Sequence, residues 1–190
     1  MPFLVTDSAV PLPVETLPAL KLREFYGVPR RGCIYSYLRC YVRGGDFYYS
    51  LTVFDETPPP SQHAALALSC DDAAQSYLWA IFQKGGGERL SLRLAPAGGR
   101  DEEARPLEMP AAKYVAGGDE QGLYWGAEGV IPAQAFRQAF GRVPRAGMFL
   151  PGNVFLFDDA EAAFGAAFPV PQGHRPPTSA GFEPFMIVPY

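Results

Sequence analysis

Alternating apolar and polar residues predict β-strands along most of the chain. The alternation is strict at 33–43 and again at 47–54, and the glycine-rich turn between them predicts a β-hairpin. A period of two places one face of each strand in a core and the other face outside it. An edge strand is predicted at 3–5 and an exposed loop at 95–110. The remaining predicted strands are 64–70, 77–83, 88–94, 111–115, 122–131, 148–157 and 185–188.

One helical segment interrupts this pattern. Pro132, which is tolerated at the first position of a helix, is followed by apolar residues at helical spacing, and Gly141 supplies a stop signal. A short helix is therefore predicted at 132–140. Many strands with a single helix predict an all-β fold, namely a two-layer antiparallel β-sandwich of the immunoglobulin-like or jelly-roll type.

Composition limits the class of protein. The 190 residues include 20 glycines and 20 prolines, and 14% are aromatic, which predicts one turn-rich domain spanning residues 1–190. The formal net charge of -4 disfavours nucleic-acid binding. No apolar run reaches the length of a membrane-spanning helix. Because the N-terminal segment lacks the basic and apolar regions of a secretion signal, a cytoplasmic location is expected.

Residues that carry catalytic or metal chemistry are scarce. Cys33, Cys40 and Cys70 have no CxxC spacing and are expected to be reduced, buried thiols. His63 lies beside a proline-rich loop and His174 lies in the loop at 172–177, and neither an HExxH nor a GxSxG motif occurs. The sequence therefore predicts a non-catalytic protein without a bound metal ion or cofactor.

The predicted hairpin has one face of tyrosine and arginine. Tyr35, Tyr37 and Tyr41 share this face with Arg39 and Arg43, because the five residues have the same parity. Flat rings and guanidinium groups are suited to stacking against sugars or bases. The alternative is that these tyrosines are ordinary strand residues, which pair across strands or lie beneath a loop.

Three segments near the C-terminus carry a family resemblance. The strings GVIPAQAF, FLPGNVFLFDD and AFGAAFPV resemble the carbohydrate-binding module family 9-like (DOMON-like) β-sandwiches, in a bacterial branch of that family. In this resemblance Trp125 lies in a late strand that leads into an Ile-Pro helix start, and Asn153 opens a run of aromatic strand residues. The match covers about the last third of the chain, and the rest agrees in strand order.

The resemblance implies a non-catalytic β-sandwich that binds a saccharide. The residues that would contact the ligand are Trp79, Trp125 and Asn153, with Arg39 as a polar partner. For the two tryptophans the alternative is burial in the core, since both alternate in phase with apolar neighbours. For Asn153 the alternative is a turn after the Pro-Gly pair.

The chain departs from the family pattern where the ligand would be held. Ala163 and Ala167 stand where members of the family have His and Trp, and Leu156 stands where a Lys is common. The acidic residue expected near the early strands would come from Asp71 or Asp72. Because sugar binding depends on stacking rings and a few fixed polar groups, these departures imply a degenerate sugar site.

A second hypothesis assigns the chain to a different class. An intracellular protein-interaction domain or self-associating scaffold would present Tyr35, Tyr37 and Tyr41 to a protein partner or to a second copy of the chain. A monomer that binds sugar would contradict this hypothesis, and a homodimer that buries the tyrosines would support it.

Overall fold

The structure is a computed structural model that describes residues 2–27, 35–55, 58–83, 87–95, 101–158 and 163–190. Within these residues it has fourteen strands and one α-helix. The strands are β1 (Phe3–Asp7), β2 (Leu20–Lys21), β3 (Glu24–Tyr26), β4 (Ser36–Arg43), β5 (Asp46–Phe54), β6 (His63–Leu68), β7 (Ser76–Gln83), β8 (Arg89–Leu94), β9 (Glu102–Leu107), β10 (Lys113–Asp119), β11 (Gly122–Ile131), β12 (Phe149–Phe157), β13 (Phe164–Ala166) and β14 (Glu183–Pro189); the helix is α1 (Ala133–Phe140).

The strands form one continuous order that folds into two layers. That order is β10-β11-β5-β4-β1-β14-β12-β6-β7-β8-β9, with β2 paired to β4, and β13 paired to both β12 and β3. The main core cluster combines alternate residues of β4, β5 and β11, such as Leu38, Leu51 and Ala127, with Leu66 of β6 and Leu78 of β7. The two halves of the order therefore pack face to face, which confirms the predicted β-sandwich.

Strand β1 joins the two halves. Its residue Leu4 pairs in parallel with Met186 of β14, and Thr6 pairs in parallel with Tyr41 of β4. The prediction that this segment is an edge strand was therefore wrong. Its apolar residues indicate a strand, but the partners lie far away in the sequence, so the local pattern carries no information about them.

Helix α1 confirms the predicted helix at 132–140. Pro132 is its N-terminal cap residue, and Gly141 ends the helix in the left-handed conformation, with a φ of 69°. The backbone N–H of Ala133 donates to Oδ1 of Asp46, the first residue of β5, at 2.7 Å. Phe136 is fully buried, so the helix packs its apolar side against the core. No helix among the described residues is long and apolar enough to cross a membrane.

The predicted loop at 95–110 contains a strand. Strand β9 pairs antiparallel with β8, and the register shifts between Leu92 and Arg93. It was missed because it is charged and exposed, so it shows no apolar alternation. Its outward-facing Glu103 accepts a hydrogen bond from Arg93 at 3.4 Å, across the pair.

The described cysteines are buried, as expected. Cys40 is 2% exposed and Cys70 is fully buried, and Cys33 lies outside the described residues. Burial raises the pKa of the Cys70 thiol to about 12, although the positive charge of Arg142 lowers it in part. Burial likewise raises the pKa of Cys40 far above its usual range. Both thiols therefore stay protonated at neutral pH.

Because both thiols are protonated and buried, we expect them to react slowly with alkylating reagents. At pH 8 we expect iodoacetamide to leave Cys40 and Cys70 unmodified in the folded protein and to modify both in guanidinium chloride, because the thiolate is the nucleophile and needs access. Peptide mapping by mass spectrometry resolves each cysteine separately. Rapid labelling of either thiol under native conditions would contradict the burial described above.

Candidate functional site

Trp79 is part of a second apolar cluster on the outer face of β6, β7 and β12. It is 3% exposed, and its ring lies 5.5 Å from that of Phe155 and 6.3 Å from that of Phe157. The guanidinium carbon of Arg93 lies 5.8 Å from the Trp79 ring centroid. Residues from β13 and from the segment after it, such as Phe164 and Val170, belong to the same cluster. Trp79 is therefore enclosed by the protein itself.

Trp125 lies in the main core between the two layers. It is 2% exposed, and its indole Nε1–H donates to Oε1 of Gln62 at 2.6 Å. Gln62 is itself fully buried and donates through Nε2 to Oδ2 of Asp55 at 2.9 Å. The indole has its polar atom satisfied and its ring covered, so it offers no face to a ligand in this structure.

Asn153 lies within strand β12 rather than in a turn, and its side chain is fully buried. Its Nδ2 donates to the carbonyl oxygens of Phe168 and Gly181, at 3.1 and 3.0 Å. Its Oδ1 accepts from the backbone N–H groups of Val154, Ala167 and Phe168, at 2.8 to 3.2 Å. These bonds use the donors and acceptors of the amide and tie two stretches of the segment after β13 to the sheet.

The four predicted site residues are not brought together. Trp79 and Asn153 share a row, because each pairs with Ala67 of β6, but Trp125 lies between the layers. Arg39 lies on the opposite outer face, on β4. Three of the four side chains are thus covered, and their role as ligand contacts stays a prediction.

The outer face of β4, β5 and β11 carries an open group of rings. We call Tyr35, Tyr37, Phe54 and Tyr124 the aromatic platform. The ring of Phe54 lies 5.4 Å from Tyr35, 6.2 Å from Tyr37 and 5.6 Å from Tyr124. All four residues are partly accessible to solvent. Gly117 of β10 leaves room for the Tyr124 ring, since a Cβ there would come within 2.8 Å of its hydroxyl.

A row of polar side chains borders the platform. Strand register places Arg39, Ser50, Glu128 and Lys113 side by side on β4, β5, β11 and β10; we call them the polar row. The guanidinium carbon of Arg39 lies 4.9 Å from the Tyr37 ring centroid. The Nε atom of Arg39 is buried, and no described residue accepts its hydrogen bond. The Nε–H group is thus a buried donor without an acceptor in the described part of the chain.

Most of the platform and of the polar row forms the floor of a shallow groove of about 200 Å³, which is lined by Tyr37, Phe54, Tyr124, Arg39, Ser50 and Glu128. One wall is the N-terminal segment at Val14 and Glu15, and the other is β10 at Val115 and Asp119. The volume is below the ~300–1,000 Å³ of sites that enclose drug-sized molecules, so a ligand here would lie along the surface.

The tyrosine and arginine face predicted from the sequence therefore divides into two parts. Tyr41 is 6% exposed, and its ring stacks on that of Tyr48 at 4.8 Å. Arg43 donates to the Tyr48 hydroxyl at 2.6 Å. These residues bind one another, whereas Tyr37 and Arg39 face the groove. No cluster of metal-ligating side chains occurs in the described part of the chain.

Phe54 and Tyr124 were missed as site residues. Both come after the hairpin face that the sequence singles out; Phe54 is the last residue of its alternating run, and Tyr124 lies near the start of the run at 122–131. For Phe54 the sequence contains a signal, because antiparallel pairing of 33–43 with 47–54 places Phe54 beside Tyr35. Tyr124 in turn pairs with Phe54 across β11 and β5. Finding Tyr124 required the pairing of strands that are distant in the sequence.

Comparison with solved structures identifies the class of fold. The chain matches a candidate carbohydrate-binding protein from Bacteroides uniformis ATCC 8492 with a TM-score of 0.72 and 13% identity, over 97% of this chain and 98% of the other. It matches a carbohydrate-binding module of family 9 from Caldicellulosiruptor kristjanssonii, in complex with cellotriose, with a TM-score of 0.66 and 11% identity, over 100% and 95% of the chains.

A further structure of a family 9 module from C. kristjanssonii, in complex with glucose, matches with a TM-score of 0.60 and 9% identity, over 100% and 97% of the chains. The chain therefore has the fold of these carbohydrate-binding modules, as the resemblance implied. No family model matches the sequence, and no curated protein sequence does.

Proposed function

We propose that the protein is a non-catalytic saccharide-binding module whose site is the groove over the aromatic platform and the polar row. The observation that carries this proposal is a group of four adjacent rings, one of which, Tyr37, contacts the guanidinium group of Arg39, whose Nε lacks a described acceptor. The fold adds support, because two of its structural neighbours are complexes with cellotriose and glucose.

The chemistry of the groove is suited to a sugar ring. The C–H faces of a pyranose stack on aromatic faces such as those of Tyr37, Phe54 and Tyr124. Its hydroxyl groups then lie beside the polar row, where Arg39 supplies donors and Glu128 supplies acceptors. Glu128 also lies 3.6 Å from Lys113 in an exposed ion pair, which hydroxyl groups can readily replace because exposed pairs are weak.

Departures from the family pattern support a site on this face rather than near β12. Ala163, Ala167 and Leu156, which replace the His, Trp and Lys of the resemblance, are 1%, 6% and 4% exposed. At these positions the chain has only small or apolar buried groups. We therefore propose that the site of the resemblance is degenerate and that the platform supplies the stacking rings instead.

The test is calorimetric titration of the protein with glucose, cellotriose, xylotriose and mannotriose. We expect weak, saturable binding of at least one sugar. Tyr124→Ala should weaken it about tenfold, because a stacking contact of this type contributes ~0.5–1.5 kcal/mol beyond the buried area. Arg39→Met should also weaken binding, because it keeps an apolar stem but removes the donors.

The matched control is Tyr190→Ala, because Tyr190 is 85% exposed and lies outside the groove. This variant should bind as the wild-type protein does. Circular dichroism must show that each variant is folded. Unchanged affinity in Tyr124→Ala and Arg39→Met would reject this site, and absence of binding to every sugar at millimolar concentration would reject the function.

The alternative is a protein-interaction or self-associating scaffold domain. It is favoured by one observation, the exposure of Leu123, the second residue of β11, which is 54% exposed. Strand β10 ends the strand order, so a second copy could pair with it. Sedimentation equilibrium tests this: a homodimer that Leu123→Lys dissociates, in a protein that binds no sugar, would favour the alternative.

A further inference from the structure

Three arginines surround a cavity at the C-terminal end of α1. Arg137, Arg142 and Arg145 line it together with Gly141, Val143 and Met148, and its volume is about 370 Å³; we call it the arginine pocket. No carboxylate is among the described residues that line it. The chain as a whole is acidic, with a net charge of -4. The cluster is therefore a local concentration of positive charge on an otherwise acidic protein.

The three guanidinium groups have no anionic partner within the described ranges. The described ion pairs join Arg93 to Glu103 and Lys113 to Glu128, and neither pair includes a residue of the arginine pocket. Like charges around one cavity repel each other, and the repulsion is relieved when an anion enters. The helix explains the position of Arg137 alone, because a cation in the last turn interacts favourably with the helix dipole. The other two arginines lie beyond α1.

The backbone that carries these arginines is fixed at several points. The N–H of Gly141 donates to the carbonyl oxygen of Arg137, and the N–H of Met148 donates to that of Arg145. Ala146 N–H donates to Oδ2 of Asp7 at 2.8 Å. The N–H of Gly147 donates to the Ile187 carbonyl oxygen at 2.9 Å. The arginine stems therefore start from a rigid frame, which lowers the entropy lost when a ligand is bound.

We propose that the arginine pocket binds a tetrahedral oxyanion, that is, a phosphate or sulfate group. Planar guanidinium groups bind such oxygens through paired N–H donors. The volume of the cavity equals that of about a dozen waters at ~30 Å³ each, which is room for a hydrated oxyanion or for a sugar that carries one. Two sources share this chemistry, the free inorganic ion and a phosphorylated or sulfated saccharide.

This site is separate from the groove proposed for saccharides. Tyr124 lies near the start of β11, whereas α1 follows Ile131 at its end. Seven residues of strand separate the two positions, or ~23 Å at 3.3 Å per residue. The proposal therefore does not depend on the proposed function, and either can fail alone.

The test follows the arginine Nε–Hε signals by NMR in the full chain. Sodium sulfate, sodium phosphate and glucose 6-sulfate are titrated against sodium chloride at constant ionic strength. We expect the signals of Arg137, Arg142 and Arg145, assigned from single Arg→Gln variants, to shift and to saturate. Each single variant should weaken binding about twofold to fivefold, as for one exposed ion pair, and the triple variant should abolish it.

The matched control is Arg89→Gln, because Arg89 is also exposed but lies outside the arginine pocket. It should leave the titration unchanged. Equal affinity for inorganic sulfate and glucose 6-sulfate supports the free ion as ligand, and tighter binding of glucose 6-sulfate supports the modified saccharide. Shifts that do not saturate, or that persist in the triple variant, would overturn the proposal.

Discussion

Replacing Asn153 by alanine should lower the free energy of unfolding by about 3–4 kcal/mol. The substitution removes five hydrogen bonds from a fully buried amide. It leaves the N–H and the C=O of Phe168 and the C=O of Gly181 without their side-chain partner, and each buried unsatisfied group costs ~1–3 kcal/mol. Urea denaturation followed by circular dichroism gives the difference.

The control for this prediction is Gln75→Ala, because Gln75 is an exposed amide that donates locally to the Ala73 carbonyl oxygen. It should change the free energy of unfolding by less than about 0.5 kcal/mol. Asn153→Asp should remain strongly destabilising, since a carboxylate cannot donate to the two carbonyl oxygens. An Asn153→Ala variant as stable as the Gln75→Ala variant would contradict the network described here.

Trp125→Ala should destabilise the protein by about 3–5 kcal/mol. The indole is almost fully buried between the layers, so truncation leaves a cavity and also removes the hydrogen bond to Gln62. Trp125→Phe keeps most of the apolar volume but leaves Oε1 of Gln62 without that donor, which should cost about 1–3 kcal/mol. Urea denaturation of the two variants measures both effects.

The same variants separate a role in folding from a role in binding. If Trp125 acts only in the core, Trp125→Phe should keep the saccharide affinity of the wild-type protein despite its lower stability. A Trp125→Phe protein of unchanged stability that binds sugar tenfold more weakly would show that this ring contacts the ligand.

Local patterns in the sequence predicted most of the fold. The hairpin of β4 and β5 and the helix α1 follow from alternation and from Pro132 and Gly141, which are signals contained within a few residues. The parallel pairing of β1 with β14 and β4 joins segments that are distant in the sequence. Strand β9 has no apolar face, so its sequence does not alternate between apolar and polar residues. Long-range pairing and exposed edge strands were therefore the features that local patterns missed.

The candidate site was predictable in part, for a related reason. Alternation assigned Tyr37 and Arg39 to one face, and the structure leaves both in the groove. The same reasoning left Trp79 ambiguous, because both faces of β7 are apolar. Its outer face is covered by β13 and by the segment after it, including Val170. Period-two alternation describes which residues share a face, and it does not tell which face another segment covers.

The most direct measurement is an intermolecular NOE experiment on the protein with cellotriose at millimolar concentration. The predicted result is a set of contacts from the sugar C–H protons to the ring protons of Tyr37, Phe54 and Tyr124, and their loss in Tyr124→Ala. Contacts confined to Phe168 or Phe182, on the opposite half of the sandwich, would contradict the placement of the site on the aromatic platform.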